Sequence, residues 1–210
     1  MSEFVTHIGT DESGKGDFFG PLVIAGVMVD EKSAKMFIEA GIKDSKKITD
    51  KKILTLEPLI KNNSEYSVVV ISNERYNELY YKIKNLNRLL AWGHARAIEN
   101  ILKKKSCEYA LSDKFGDENL IKSALMENGR KINLQQMVRA ESDVAVAAAS
   151  VLARAAFVHK IEEMKNTYGL DFPKGCAPQV KDTARLFVAK YGKDKLQAVC
   201  KVHFKTYKEI

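Results

Sequence analysis

The chain has little cysteine, the residue that forms the disulfides of small secreted domains and binds structural zinc. Its 210 residues include three cysteines, four prolines and one tryptophan. Cys107, Cys176 and Cys200 are odd in number and form no C-x-x-C pair, which excludes a paired disulfide framework and argues against a structural zinc site. We therefore expect reduced thiols and a cytoplasmic protein.

Long apolar runs and low-complexity segments are also missing. The longest apolar run, residues 22–29, is interrupted by Gly26 and is too short to cross a bilayer, and the N-terminus shows no signal-peptide pattern. No internal repeat and no linker rich in Pro, Gly or Ser divides the chain. These absences predict a single domain over residues 1–210, with a helical C-terminal part from roughly 170 to 210, no membrane contact and a monomeric state.

Positive charge is what the chain has in excess. The 34 Lys and Arg residues outnumber the 27 Asp and Glu residues, so the formal net charge is +7. A hydrophobic content of 45% is enough to build a core for one domain of this length. The charge excess predicts a polyanionic partner such as nucleic acid.

Strand and helix patterns follow one another in a definite order. The five predicted strands are residues 4–10, 21–29, 66–71, 108–113 and 132–138. The predicted helices are residues 31–40, 50–60, two helices within 74–105 broken near Asn85 or Asn87, 118–127, a long alanine-rich helix capped by Ser142, 183–191 and 193–201. This order predicts an α/β fold, a mixed five-stranded sheet flanked by helices with additional C-terminal helices, and it resembles the ribonuclease H-like architecture.

Four acidic residues are predicted at element ends on one rim of that sheet. Asp11 and Glu12 follow the first strand, Asp113 ends the fourth, and Asp143 opens the long helix. Two like charges about 4 Å apart repel by roughly 4 kcal/mol near a protein surface, and a bound divalent metal would keep both ionised. Because neighbouring strand residues point to opposite faces, we expect the first strand to end or bulge at Asp11 and Glu12.

Each carboxylate also has an ordinary structural interpretation. Asp11 and Glu12 suit a solvated acidic turn, Asp113 suits a turn before Gly116, and Asp143 suits the positive end of a helix dipole. The four together, beside a glycine-rich loop, predict a site for two Mg²⁺ ions that promote in-line attack on a phosphodiester.

A phosphate-binding P-loop is the competing motif. Gly9-x-x-x-x-Gly14-Lys15 fits its first seven positions. The eighth position is Gly16, which has no hydroxyl to ligate Mg²⁺, and the residues that follow have the pattern of a strand where a P-loop opens a helix. A nucleotide hydrolase is therefore the weaker alternative.

Several motifs together resemble the type 2 ribonuclease H family, and within it ribonuclease HIII more than ribonuclease HII. They cover nearly the whole chain, and the matching segments are Gly9-Thr10-Asp11-Glu12-Ser13-Gly14-Lys15-Gly16-Asp17-Phe18-Phe19-Gly20-Pro21, Asp44-Ser45-Lys46-Lys47, Asn85-Leu86-Asn87-Arg88-Leu89-Leu90-Ala91, Glu141-Ser142-Asp143, Ala147-Ala148-Ala149-Ser150-Val151-Leu152-Ala153-Arg154, Phe172-Pro173-Lys174-Gly175 and His203-Phe204-Lys205-Thr206.

The resemblance implies endonucleolytic cleavage of the RNA strand of an RNA/DNA hybrid, leaving 5′-phosphate and 3′-hydroxyl ends. It implies that the catalytic carboxylates, which would bind two Mg²⁺ with Mn²⁺ as an alternative, are Asp11, Glu12, Asp113 and Asp143. The implied substrate contacts are Ser13, Gly14, Lys15, Gly16, Lys46, Lys47, Lys174 and Lys205. The backbone groups of the loop glycines would contact ribose 2′-hydroxyls. The lysines would contact phosphates, and an ordinary solvated surface is the alternative for them.

The chain departs from this family pattern in two ways. Ribonuclease HII has Arg and usually Tyr where this chain has Lys15 and Cys176. We therefore expect cleavage within runs of ribonucleotides, the alternative being HII-like incision at a junction or a single ribonucleotide. Ribonuclease HIII usually carries an N-terminal substrate-binding domain. Because Asp11 comes so early, we expect that this domain is either naturally absent or has been removed by truncation. We expect His7, His94 and His159 to be structural or solvent-facing. His203 is expected to pack with Phe204, with a role near the metals as the alternative.

Overall fold

Five strands and nine helices make up the part of the chain that the structure, a computed structural model, describes: residues 4–43 and 45–210. Asp44, which belongs to one of the motifs above, lies outside the described residues. The strands are β1 His7–Ser13, β2 Leu22–Val29, β3 Tyr66–Ile71, β4 Tyr109–Asp113 and β5 Asn133–Met137. The helices are α1 Glu31–Glu39, α2 Asp50–Asn63, α3 Asn73–Ile83, α4 Leu86–Leu102, α5 Glu118–Ala124, α6 Val144–Tyr168, α7 Pro178–Tyr191, α8 Lys193–Leu196 and α9 Lys205–Lys208.

The strands form one mixed sheet in the order β3-β2-β1-β4-β5. β2 runs antiparallel to both β1 and β3, whereas β4 runs parallel to β1 and β5 runs parallel to β4. Thr10 lies beside Ser112 in the parallel pair, so the next residues, Asp11 and Asp113, are also neighbours. The predicted α/β fold with a mixed five-stranded sheet and flanking helices is confirmed.

Two helices cover the faces of the sheet and enclose most of the core. α6 packs on one face with α1 and α2, and α4 packs on the other with α5. By length and composition α6 would also pass as a membrane span, but most of it is buried in the protein. The alanines of α6 allow the helix backbone to lie very close to β1. A Cβ added at Gly9 would be 2.2 Å from backbone atoms of Ala145 and Val146.

The structure corrects several predicted boundaries. β1 starts at His7 and continues without a break through Ser13, where we expected it to end or bulge. Asp143, rather than Ser142, caps α6 by accepting hydrogen bonds from the amides of Ala145 and Val146. α7 begins earlier than predicted, because Pro178 suits the first turn of a helix, and α8 is a single turn. The break between α3 and α4 falls at Lys84 and Asn85, as predicted.

The close approach of α6 to β1 makes a stability prediction. Gly9→Ala is expected to lower the free energy of unfolding by about 3 kcal/mol, because two backbones must separate to admit one methyl group. Gly16→Ala is the matched control: no atom lies within 4 Å of its added Cβ, so its effect should stay within about 0.5 kcal/mol. Urea unfolding of both variants checks this, and equal midpoints would contradict it.

Candidate active site

Asp11 and Glu12 extend from opposite faces of β1. Their partners on β2 are Ala25 and Ile24 in unbroken antiparallel register, so the side chains alternate as in any regular strand. Asp11 shares the face of Gly9 and α6, whereas Glu12 lies on the α4 face. The prediction that β1 ends or bulges here is therefore wrong. The two carboxylates reach the cavity from opposite faces of the sheet at the end of β1.

Asp11 and Asp113 lie side by side on the α6 face because β1 and β4 are parallel and in register. Burial, followed by the negative charges of Glu12 and Asp113, raises the pKa of Asp11 well above its usual range. The hydrogen bond from the Glu12 amide to Asp11 Oδ1 (2.8 Å) and the Lys46 ammonium act in the opposite direction. Burial and the neighbouring negative charges thus disfavour the ionised form of Asp11, and a nearby cation would favour it.

Glu12 is held by two side chains on the other face. His94 Nε2 donates to Glu12 Oε2 at 3.2 Å, and Lys15 Nζ lies 3.3 Å from Glu12 Oε1. Burial alone raises the pKa of Glu12, but the His94 hydrogen bond and the His94 and Lys15 charges outweigh it and keep that pKa below its usual range. His94 is buried in α4 and its Nδ1 lies 2.8 Å from Thr10 Oγ1. The expectation that His94 is structural or solvent-facing missed this support of Glu12.

One cavity of about 460 Å³ opens at the ends of β1 and β4. Its lining contains four acidic and four basic residues, an arrangement that suits cations beside a phosphate. The lining residues are Asp11, Glu12, Ser13, Gly14, Lys15, Gly16, Asp17, Ser45, Lys46, Asp113, Arg154, Phe157 and Lys174. Of the predicted site residues, Asp143, Lys47 and Lys205 are not among them.

Asp50 organises the basic side of the cavity. Its Oδ1 accepts from Arg154 Nε at 2.9 Å, and its Oδ2 pairs with Lys174 Nζ. Arg154 also donates to the Ser45 carbonyl at 2.6 Å. The sequence motif included Arg154, but we did not assign it a role. Its contact with Asp50, 104 residues away in the sequence, shows that Arg154 is held at the cavity wall.

Asp143 is placed differently from the prediction. Its Oδ1 accepts from the amides of Ala145 (2.9 Å) and Val146 (3.1 Å), and its Oδ2 accepts from His7 Nε2 (2.9 Å). His7 Nδ1 also lies 2.7 Å from the Val5 carbonyl oxygen, so both ring nitrogens face acceptors. Burial alone lowers the pKa of His7, but these hydrogen bonds and the Asp143 charge outweigh it and raise that pKa. Both Asp143 oxygens are thus engaged in capping α6 and fixing it to the start of β1.

The position of His7 also sets Asp143 back from the cavity. His7 precedes Asp11 by four residues of regular strand, which is about 13 Å at the usual rise per residue. Asp143 lines a neighbouring groove, together with Lys47 and Glu141. Its side chain is directed to His7, and its place beside the other three carboxylates stays a prediction.

Glu141 is the carboxylate that the sequence reasoning did not select. It lies in a 3₁₀ turn, Ala140–Ser142, whose Ala140 amide donates to Asp113 Oδ1 at 3.2 Å. This hydrogen bond fixes the turn to one of the cavity carboxylates. Within residues 4–43 and 45–210 no partner engages the Glu141 carboxylate. The motif Glu141-Ser142-Asp143 offered both acidic residues, and only the contacts separate them.

Two predicted lysines lie outside the cavity. Lys47 borders the neighbouring groove with Asp143. Lys205 is almost fully exposed at the start of α9 and pairs with Glu209 at 3.5 Å. Both have the character of solvated surface residues, the alternative that the sequence left open.

The donors in the cavity suit a hard divalent cation. Asp11, Glu12 and Asp113 offer only carboxylate oxygens, which Mg²⁺ and Mn²⁺ prefer. Burial, followed by the negative charges of Glu12 and Asp113, raises the pKa of Asp11, and a cation would neutralise those charges. Among the residues that the structure describes, no three His, Cys, Asp or Glu form a ready-made metal site.

Known proteins resemble the chain over nearly its whole length. The family model described as Ribonuclease HII matches residues 8–207. Ribonuclease HIII of Protochlamydia amoebophila is 43% identical over 99% of this chain and 69% of its own length, and ribonuclease HIII of Chlamydia felis is 45% identical over 97% and 69%. The crystal structure of Bst-RNase HIII in complex with Mn²⁺ has a TM-score of 0.91 and 30% identity, covering 99% of this chain and 69% of that one.

Proposed function

The chain belongs to the ribonuclease HII family and is a ribonuclease H, and we propose that it cuts the RNA strand of RNA/DNA hybrids as a metal-dependent endonuclease. The observation that carries the proposal is the pair of carboxylates, Asp11 and Asp113, side by side on parallel strands and facing a cavity with four cationic side chains. Carboxylates of this kind bind the metals, and the cations bind the phosphates.

We propose that two metal ions are held by Asp11, Glu12 and Asp113, with Glu141 or Asp143 as the fourth carboxylate. Bound Mg²⁺ or Mn²⁺ would make the attacking water a better nucleophile and stabilise charge on the phosphate and the leaving 3′ oxygen. The products would carry 5′-phosphate and 3′-hydroxyl ends. Lys46, Arg154 and Lys174 line the same cavity and would hold the phosphate backbone.

The glycine loop, defined here as residues 14–20, is proposed to recognise ribose. Gly14 has a φ of +87°, and a Cβ there would be 2.2 Å from the Pro21 carbonyl oxygen, so only glycine fits. Gly16 has open space where a Cβ would be, which leaves its backbone accessible to a polymer. Backbone groups at these positions would contact the 2′-hydroxyl, which distinguishes RNA from DNA.

Two further aspects of the prediction stay proposals. Lys15 and the exposed Cys176 favour cleavage within runs of ribonucleotides over incision at a single one. We also propose that the protein acts as a monomer in the cytoplasm, where its three cysteines stay reduced. The nucleotide hydrolase alternative loses support, because the glycine loop leads into β2 and not into a helix.

Strand-specific cleavage tests the proposed function. With Mg²⁺ the parent enzyme should cut a uniform RNA/DNA hybrid, leave a DNA duplex intact and cut a duplex with one ribonucleotide poorly. Asp113→Asn should reduce hybrid cleavage by roughly a hundredfold or more, because one carboxylate oxygen that holds metal is lost. A chelator should abolish cleavage. An intact hybrid, or full activity in Asp113→Asn, would overturn the function, and clean incision at the lone ribonucleotide would overturn the proposed preference.

A second pair of variants decides the fourth carboxylate. Glu141→Gln should lower kcat by roughly a hundredfold with unchanged stability, because its carboxylate, carried by the turn that the Ala140 amide joins to Asp113, would be a metal ligand. Asp143→Asn keeps a good helix cap and loses only the ionic part of the His7 contact, so its kcat should stay within about threefold of the parent. The opposite pattern would return Asp143 to the catalytic set. Both variants are compared at saturating Mg²⁺ and at a temperature well below their unfolding midpoints.

A further inference from the structure

Lys201 is a buried lysine that contacts the glycine loop from behind. Its side chain is fully buried, and its Nζ donates to the Asp17 carbonyl at 2.8 Å and to the Gly20 carbonyl at 2.6 Å. Within residues 4–43 and 45–210, no carboxylate forms an ion pair with it. Its hydrogen-bond acceptors are thus two main-chain oxygens at either end of the Asp17–Gly20 turn, and its Nζ also lies 5.6 Å from the centre of the Tyr76 ring.

Burying an ammonium group in the protein interior is energetically unfavourable. Removing a charge from water costs several kcal/mol, and an apolar side chain of similar length such as Met would pack at this position without that cost. Lysine offers what an apolar side chain lacks, namely donors that can hold two carbonyls at once. We therefore expect the two hydrogen bonds from Lys201 to fix the conformation of the Asp17–Gly20 turn.

The main chain around Lys201 adds to the same attachment. The Lys201 amide donates to the Phe18 carbonyl at 2.9 Å, and the Gly20 amide donates to the Val199 carbonyl at 3.1 Å. Phe19 and Cys200 form an isolated antiparallel bridge. The segment 199–201 thus pairs with the second half of the glycine loop as a short additional strand.

Helix α3 anchors this segment in turn. Asn77 Nδ2 donates to the Cys200 carbonyl at 2.9 Å, and Asn77 Oδ1 accepts from the Val202 amide at 3.0 Å. Asn73 Nδ2 donates to the Gly20 carbonyl at 2.8 Å, so this oxygen accepts from two side chains. The loop is fixed to α3 both directly and through Lys201.

The first half of the same loop lines the cavity. Gly14, Lys15 and Gly16 lie there beside Asp11 and Glu12, immediately before the residue whose carbonyl Lys201 holds. A displacement at Asp17 would be transmitted directly to Gly16. Loops of this kind lose precision when their supporting contacts are removed, and a misplacement of about 1 Å can cost a hundredfold in rate.

We propose that Lys201 is a positioning residue that sets the glycine loop for ribose recognition, and so controls hybrid affinity and the preference for RNA over DNA rather than the chemical step. The inference rests on the proposed function, since it assigns a support to the ribose-reading part of that site.

The protonation chemistry of Lys201 is compatible with this role. Burial lowers its pKa to about 7, while the charges of Asp17 and Cys200 act in the opposite direction. The protonated form has three donors and the neutral amine has two, so either form can serve both carbonyls. Positioning by Lys201 therefore does not depend on its charge state near neutral pH.

Lys201→Met tests the inference by removing both donors while keeping the length of the side chain. On a uniform hybrid its KM should rise about tenfold, while kcat stays within about threefold of the parent. In competition, the preference for hybrid over DNA duplex should fall by a similar factor. Ile121→Val is the matched control, because Ile121 lies in the core on the α4 face of the sheet, a cluster that contains no residue of the glycine loop, and this change should lower stability without changing KM or the preference.

A second variant keeps the test decisive if Lys201→Met does not fold. Asn73→Ala removes the other side-chain donor to the Gly20 carbonyl. It should raise KM about threefold and lower the preference for hybrid, as Lys201→Met does. If the parent cleaves the hybrid and the folded variants among Lys201→Met and Asn73→Ala match the Ile121→Val control in KM and preference, the inference is overturned and the proposed function stands. A parent enzyme that leaves the hybrid intact overturns the function and the inference with it.

Discussion

The parallel pairing of β1 with β4 is the constraint on which the site depends. It places Asp11 beside Asp113 on one face of the sheet, where burial and two neighbouring negative charges raise the pKa of Asp11. In the absence of a cation, such an arrangement disfavours the ionised form. The fold thus holds Asp11 in a buried position beside other carboxylates, where a bound cation would favour its ionised form.

The surrounding structure keeps this arrangement in place from three sides. Gly9 lets α6 pack against the backbone of β1, and the His7–Asp143 contact fixes the start of that helix. His94 holds Glu12 on the opposite face. The C-terminal segment around Lys201 holds the glycine loop at the open end of the cavity. Each contact joins residues distant in sequence, so the site is assembled by the tertiary fold.

Much of the fold was predictable because its signals are local. Strong β-branched content identified Tyr66–Ile71, the alanine-rich pattern identified α6, and the break between α3 and α4 was placed correctly. The end of β1 was predicted wrongly. The glycines that follow it permit a bulge, and only the pairing with β2 shows that the strand continues to Ser13. The fourth carboxylate was equally ambiguous, since Glu141 and Asp143 are two residues apart and differ only in their contacts. Lys201 gave no local signal, because the carbonyls it binds lie about 180 residues earlier in the chain.

The most direct test of the account is an NMR titration of the Asp11 carboxyl group with and without Mg²⁺. In metal-free buffer the pKa of Asp11 should lie well above its usual range, and Asp113→Asn should bring it down, because one of the neighbouring negative charges is removed. Saturating Mg²⁺ should hold Asp11 ionised, with a pKa below the usual value. A pKa in the ordinary range that responds neither to Mg²⁺ nor to Asp113→Asn would contradict the claim that this carboxylate pair is built to hold metal.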